Sequence, residues 1–78
     1  MTDEEKQALL NIPIDQNTTV KSANTMAFVQ WCLKKVNGAN ANAPETREIT
    51  ALNVFPGANM SENQKLDILV KLKRLGVI

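Results

Sequence analysis

The sequence lacks histidine and tyrosine, and Cys32 is the single cysteine among its 78 residues. Histidine is the commonest general base in enzymes and tyrosine is a common proton donor, so two of the usual catalytic groups are missing. One cysteine cannot form a disulfide within the chain, and without histidine there is no zinc-ligand spacing. We therefore expect neither an enzyme nor a metal site. We interpret Cys32 as a small buried apolar residue, with a reactive or intermolecular thiol as the alternative.

Glycines are also few, and none of them belongs to a phosphate-binding loop. Gly38, Gly57 and Gly76 each lie at a predicted helix end or turn, so we expect no bound cofactor. The sequence has no run of about 18 apolar residues, and its first residues are acidic, so neither a membrane span nor a signal peptide is indicated. We expect a cytoplasmic protein. The net charge of +1 gives no whole-chain argument for nucleic-acid or membrane binding.

Aromatic residues are limited to Phe28, Trp31 and Phe55, so aliphatic residues must form most of the core. Hydrophobic residues make up 44% of the chain, which is typical of a globular protein and too high for a disordered one. A chain of 78 residues has the length of one domain, and we assign residues 1–78 to it.

The clearest local signal lies in the C-terminal stretch, which predicts a helix over residues 62–75. Ser61 and Gln64 have the spacing of a capping box, in which each side chain accepts a hydrogen bond from the backbone of the other. Apolar residues follow at helical spacing, and basic residues occupy the last turn, where the helix dipole favours them. Gly76 can adopt the left-handed conformation that ends a helix, with the final residues folded back on the last turn.

The N-terminal part of the chain predicts a helix and a connector. Thr2 is a capping residue for a helix over residues 3–11, which must end before Pro13 because proline restricts the residue that precedes it. The polar connector that follows contains Ile14 and Val20, which we expect to anchor it to the core. We predict no strand here, because the sequence offers no partner strand.

Two helices are predicted in the middle of the chain. Ser22 or Asn24 opens a helix over residues 23–37, which an Asn-Gly pair ends. Pro44 suits the first position of a third helix over residues 44–53.

These signals predict an all-α single domain of four helices, with the second and fourth helices as the central packed pair. The alternative is that the third helix is short or 3₁₀ and that three helices hold the domain together. The predicted core consists of aliphatic residues on the inward faces and one aromatic ring, namely Leu9, Ile12, Val29, Leu33, Val36, Ile49, Leu52, Phe55, Leu66, Leu69, Val70 and Leu72.

Two groups of apolar residues are candidates for a surface that binds another protein. Phe28 and Trp31 lie three residues apart beside the main apolar side of the second helix, and large aromatic residues are favoured anchors at interfaces. Leu75, Val77 and Ile78 form an apolar C-terminal end. The alternative for Phe28 and Trp31 is a place in the core, on a central helix that contacts neighbours on two sides.

Nucleic-acid binding is the rival interpretation. Lys34, Lys35, Lys71, Lys73 and Arg74 could contact a phosphate backbone if the second and fourth helices end on the same side. A helix-turn-helix is disfavoured, because the connection between the third and fourth helices is longer than that motif uses. The helix dipole alone also explains basic residues at helix C-termini.

The function we expect is that of a small cytoplasmic regulatory or adaptor protein, an inhibitor or modulator that binds a larger protein. The absence of catalytic groups and the apolar surface beyond the needs of the core are the reasons. A small helical domain often completes its burial through a partner or a second copy of itself, so a homodimer is a further candidate.

Overall fold

The computed structural model describes residues 1–15, 18–52 and 60–78. The described residues form four α-helices and no strand: α1 at Asp3–Leu10, α2 at Thr25–Val36, α3 at Pro44–Ala51 and α4 at Glu62–Arg74, with a 3₁₀ turn at Val20–Ser22. The prediction of an all-α domain of four helices is confirmed, with α3 a regular α-helix rather than a 3₁₀ segment. The predicted end of α3 at Asn53 lies outside the described residues.

Side-chain caps determine where three of the helices begin. Thr2 caps α1, and Asn24 rather than Ser22 caps α2, where its Oδ1 accepts a 2.7 Å hydrogen bond from a backbone N–H. Both halves of the capping box form at α4, since the Gln64 N–H donates to Ser61 Oγ at 3.2 Å and the Ser61 N–H donates to Gln64 Oε1 at 2.8 Å. These contacts satisfy backbone donors that have no partner inside the helix.

The end of α4 turns the chain back onto the core. Gly76 has a φ of +77°, in the left-handed region that glycine adopts without strain. Its N–H donates to the Lys73 carbonyl at 3.0 Å, and the Val77 N–H donates to the Leu72 carbonyl at 3.2 Å. This pair of bonds is the Schellman motif, and it lets Val77 and Ile78 pack against the core while they stay partly exposed.

The helix α4 occupies the centre of the packing. It contacts each of the other three helices, and its contact with α1 is more extensive than its contact with α2. The prediction that the second and fourth helices form the central pair is therefore corrected: α4 is central, and α2 packs against α3 and α4 at one side. The apolar residues of α4 explain this position, because they are spread over more than one face.

The core is larger and more aromatic than predicted. Most predicted core residues are buried or pack against the buried cluster, whereas Val29 is buried outside that cluster, Leu33 is half-buried outside it, and Phe55 lies outside the described residues. The cluster also contains residues outside the predicted core list, namely Leu10, Val20, Ala23, Phe28, Trp31, Cys32 and Ile68. Of these, Val20 was predicted as an anchor and Cys32 as a buried residue.

The aromatic pair of α2 is part of this core, so Phe28 and Trp31 do not form an exposed patch, and the alternative of a place in the core is confirmed. Phe28 exposes 0% of its surface and Trp31 exposes 9%. Their rings stack with centroids 6.1 Å apart, and the ammonium of Lys65 lies 5.9 Å from the Phe28 ring. On the other ring, the ammonium of Lys35 lies 5.5 Å from the Trp31 centroid. Cation–π attraction explains why two lysines accompany a buried aromatic pair.

Lys65 is a buried lysine that joins α4 to the segment before α2. It exposes only 7% of its surface. Its Nζ donates to the Ala23 carbonyl at 2.7 Å and approaches the Val20 carbonyl at 3.4 Å. A buried ammonium needs such acceptors, because leaving water without them costs several kcal/mol. The contact therefore fixes the start of α2 against α4.

The connector between α1 and α2 pairs with itself. The Ile14 N–H donates to the Thr18 carbonyl at 2.9 Å, and the Val20 N–H donates to the Ile12 carbonyl at 3.0 Å. Pro13 and Thr19 form an isolated bridge between these bonds. Val20 is fully buried and Ile14 packs against the core, which confirms both predicted anchors.

Lys65→Met should lower the free energy of unfolding by about 2 kcal/mol, because the variant keeps the apolar stem and loses charged hydrogen bonds to two carbonyls. Urea unfolding followed by circular dichroism measures the change. Lys6→Met, at an exposed position on α1, is the control and should change stability by less than about 0.5 kcal/mol. Equal stability of the two variants would contradict the structural role of Lys65.

Trp31→Ala should lower the free energy of unfolding by about 3–5 kcal/mol, because it leaves a cavity beside Phe28. The free energy of unfolding of a domain of this size is only a few kcal/mol, so we expect the variant to be partly unfolded. Far-ultraviolet circular dichroism measures the loss of helix. Met26→Ala, at a residue of the same helix that is 40% exposed, should stay folded. A Trp31→Ala protein with unchanged stability would restore the interpretation of an exposed ring.

Candidate functional site

A groove lined by described residues lies between α2 and α3, and we call it the α2–α3 groove. Its volume is about 520 Å³. Its walls come from the last turn of α2, the loop that follows, and one side of α3. Its lining includes Leu33, Lys34, Val36, Ala39, Thr46 and Thr50.

The loop after α2 forms one wall of this groove. Gly38, at a φ of +93°, turns the chain away from the helix axis. The Ala39 N–H then donates to the Val36 carbonyl at 2.9 Å, and the Ala43 N–H donates to the Asn40 carbonyl at 3.1 Å. Small side chains in this loop fill little space, so the sides of Leu33 and Val36 that face it line an open groove.

Thr46 belongs to the opposite wall, but its hydroxyl oxygen is buried and has almost no accessible surface. It exposes 7% of its surface, and its Oγ1 has no hydrogen-bond partner among the described residues. One turn further, Thr50 Oγ1 donates to the Thr46 carbonyl at 2.7 Å. A buried hydroxyl without a partner costs about 1–3 kcal/mol. Thr46 is therefore a polar group that the fold itself does not use.

The charges distinguish this groove from two others. The α3–α4 groove is lined by Lys71 together with the carboxylates of Glu48 and Asp67, and the α1–α4 groove is lined by Lys73 and Arg74 together with Glu5. The lining of the α2–α3 groove has one charged residue, Lys34, and no carboxylate. Its positive charge is therefore not balanced within the groove.

Lys71 forms ion pairs with two carboxylates of the fold. Its Nζ lies 2.6 Å from Glu48 Oε2 on α3 and 2.7 Å from Asp67 Oδ2 on α4. Hydrogen bonds to Asp67 and then to Glu48 raise the pKa of Lys71 above its ordinary value. Asp67 and Lys71 lie one turn apart on α4, and Glu48 extends their ion pair into a link between two helices.

The five basic candidate residues are placed at separate features of the surface. Lys34 lines the α2–α3 groove, Lys71 the α3–α4 groove, and Lys73 and Arg74 the α1–α4 groove. Lys35 lies over the Trp31 ring. A nucleic-acid backbone needs several cations along one path, and the described grooves divide these cations instead of collecting them.

The remaining candidates have different surroundings. The apolar C-terminal end packs against the core but stays partly exposed at Leu75, Val77 and Ile78. Part of its apolar surface is therefore covered by the fold itself. Cys32 is fully buried, and desolvation raises the pKa of its thiol to about 12. A thiol with this pKa is inert at neutral pH, which removes the alternative of a reactive cysteine.

Sequence reasoning missed the α2–α3 groove because its members carried other interpretations. Leu33 was expected in the core, and Lys34 was a candidate contact to a phosphate backbone or a residue favoured by the helix dipole. Helical spacing on α2 does place Met26 and Leu33 on one side, and Met26 is 40% exposed. No local signal marks Thr46, since its burial depends on how α3 packs against α2.

Comparison with protein-family models, with curated proteins and with solved structures finds no match for this chain. Within residues 1–15, 18–52 and 60–78, no helix has the length and apolar character to cross a membrane. The same residues bring together no group of three or more histidine, cysteine, aspartate or glutamate side chains that could hold a metal ion.

Lys71→Met should lower the free energy of unfolding by about 0.5–1 kcal/mol at about pH 8, as expected for a partly exposed ion pair. Because the folded pKa of Lys71 is raised, its contribution is complete below the unfolded pKa of about 10.4 and is lost as the pH rises through the folded value. The difference between wild type and variant should therefore shrink above about pH 10.5. Urea unfolding at several pH values measures it.

The titration of Cys32 affects wild type and Lys71→Met alike and cancels in this difference. Lys73→Met is the matched control, because the described residues give Lys73 no ion pair. A difference between wild type and Lys71→Met that stays constant to high pH would contradict the assignment.

Proposed function

We propose that this chain is a small cytoplasmic regulatory or adaptor protein that binds another protein through the α2–α3 groove. The observation that supports it best is the apolar surface of this groove, where Leu33 lies outside the core cluster and stays partly exposed. Met26 continues the same side of α2 two turns earlier and is the most exposed large hydrophobic residue of the described helices. Apolar side chains that the core leaves uncovered on one side of a helix are candidates for contact with a partner.

The form of the groove favours a protein partner over a free small molecule. Small-molecule sites are concave and cover most of the ligand surface. This groove is open along its length, so it can receive side chains from another chain while that chain remains outside. Binding in this way occupies a surface on the partner, which is how a protein without catalytic groups can inhibit or modulate a larger one.

The experiment is an affinity purification of the tagged protein from lysate of its native cells, with Leu33→Ser run beside wild type. Leu33→Ser removes the apolar anchor without adding charge. A partner protein bound through the groove should be recovered with wild type and reduced at least about tenfold with the variant, because central apolar contacts carry most interface energy. Quantitative mass spectrometry measures the recovery.

Asn63→Ser is the control, since Asn63 is exposed on α4 and does not line the groove. Circular dichroism establishes that both variants are folded. Equal recovery with Leu33→Ser and wild type would contradict binding through this groove. Recovery that disappears with nuclease would support the rival interpretation of nucleic-acid binding, and recovery of a second copy of the chain alone would identify a homodimer.

A further inference from the structure

We infer that a second copy of this chain packs against the α1–α4 groove, so that the acidic start of α1 in each copy lies opposite the basic end of α4 in the other. This inference does not depend on the proposed function, because the α1–α4 groove and the α2–α3 groove share no lining residue. Its support comes from the apolar surface of the α1–α4 groove, from the opposite charges on the two sides, and from how those charges are paired.

The α1–α4 groove leaves apolar surface uncovered. Its volume is about 290 Å³, and the apolar part of its lining consists of Met1, Leu9 and Val70. Leu9 is buried, whereas Val70 packs against the core and stays partly exposed. Met1 exposes 65% of its surface, more than any other large hydrophobic residue that the structure describes. A partner that removes this apolar surface from water therefore gains binding energy from it.

Charges of opposite sign occupy the two sides of this groove. The first turn of α1 contains Asp3, Glu4 and Glu5, and all three are exposed. The last turn of α4 contains Lys73 and Arg74, which are exposed as well. Of these residues, Glu5, Lys73 and Arg74 line the groove itself. The helix dipoles favour both groups where they are, so each side of the groove keeps one sign.

These charges are left available to a partner. Within the described residues, no ion pair joins Glu5 to Lys73 or Arg74, and none involves Asp3 or Glu4. Exposed charges beside an apolar contact can pair with opposite charges on a partner, and such pairs determine which partner fits and in which orientation.

The pattern of two signs identifies the occupant as a second copy. A uniformly acidic partner would be attracted by Lys73 and Arg74 and repelled by Glu5 and its neighbours, and a uniformly basic partner would meet the reverse. A second copy presents the same groove with its two sides exchanged when the two-fold axis runs along the groove. Glu5 of each copy then faces Arg74 of the other, and each attraction occurs twice.

The test measures the association of the untagged full chain by sedimentation velocity at low ionic strength. Concentrations run from about 1 μM to about 1 mM, because small interfaces are typically weak. Wild type should form a dimer within this range. Glu5→Arg and Arg74→Glu should each raise the dimer Kd at least about tenfold, because each change places like charges opposite each other twice.

Arg47→Glu is the matched control, since it makes the same change as Arg74→Glu at an exposed position of α3. Arg47 lines none of the three grooves described above, so the variant should dimerise as wild type does. Circular dichroism establishes that every variant is folded.

An equimolar mixture of Glu5→Arg and Arg74→Glu gives a sharper readout. In a mixed dimer the introduced arginine meets the introduced glutamate, and Arg74 of one copy meets Glu5 of the other, so both contacts are attractive. The mixture should therefore associate with a Kd near that of wild type, although each variant alone associates weakly. Pairing inside one chain cannot give this result, because mixing leaves the charges of each chain unchanged.

The outcomes separate this inference from the proposed function. A wild-type chain that stays monomeric at the highest concentration would overturn the second copy as the occupant. A dimer that neither charge reversal weakens would overturn this surface, and its loss in Leu33→Ser would assign the second copy to the α2–α3 groove instead. Weaker association of both variants without recovery in the mixture would overturn the pairing between copies. Recovery in the mixture supports the inference, whatever the affinity purification with Leu33→Ser shows for the α2–α3 groove.

Discussion

The burial of Lys65 is the constraint on which the arrangement of helices depends. An ammonium inside a small core is tolerated only where acceptors are fixed in place, and here the carbonyls of Ala23 and Val20 supply them. These carbonyls belong to the segment that leads into α2, so the start of that helix is bound to the first half of α4. The Phe28 ring, which lies against the same ammonium, is thereby held inside the core.

The inward position of Phe28 determines which side of α2 remains outside. Phe28 and Trp31 stack with each other and fill the space toward the core, so the side that carries Met26 and Leu33 is turned away from it. The loop after Gly38 then returns over the end of α2 with small side chains. The α2–α3 groove is therefore a consequence of the aromatic packing rather than a separate feature.

The sequence predicts the parts of this fold that are encoded within a few residues. The capping box of Ser61 and Gln64, the cap at Thr2 and the glycine at the end of α4 depend on neighbours one turn away, and each is present. The burial of Lys65 depends on carbonyls more than forty residues away, and no local pattern records such a contact. Lysine is also rarely buried, so sequence reasoning places it at the surface.

The candidate site was missed for the same reason, because it depends on contacts between residues that are far apart in the sequence. Sequence reasoning identified a shortage of catalytic groups and apolar residues beyond those of one stripe, but it left open whether the aromatic pair is exposed or in the core. Aromatic rings are favoured at interfaces and also in cores, and only the packing of α4 decides between the two. Once Phe28 and Trp31 are inside, Leu33 is the apolar residue on α2 that stays partly exposed outside the core cluster.

Leu33 and Thr46 both contribute less to stability than their burial potential allows. A partly exposed leucine buries less apolar surface than a core leucine, and a buried threonine hydroxyl without a partner is unfavourable. Valine at position 46 would keep the shape of the side chain and remove the unsatisfied group. In a domain whose total stability is a few kcal/mol, such a group is a measurable loss. A partner that covers Leu33 would bury its remaining apolar surface, whereas the unpaired hydroxyl of Thr46 stays a cost of packing α3 against α2.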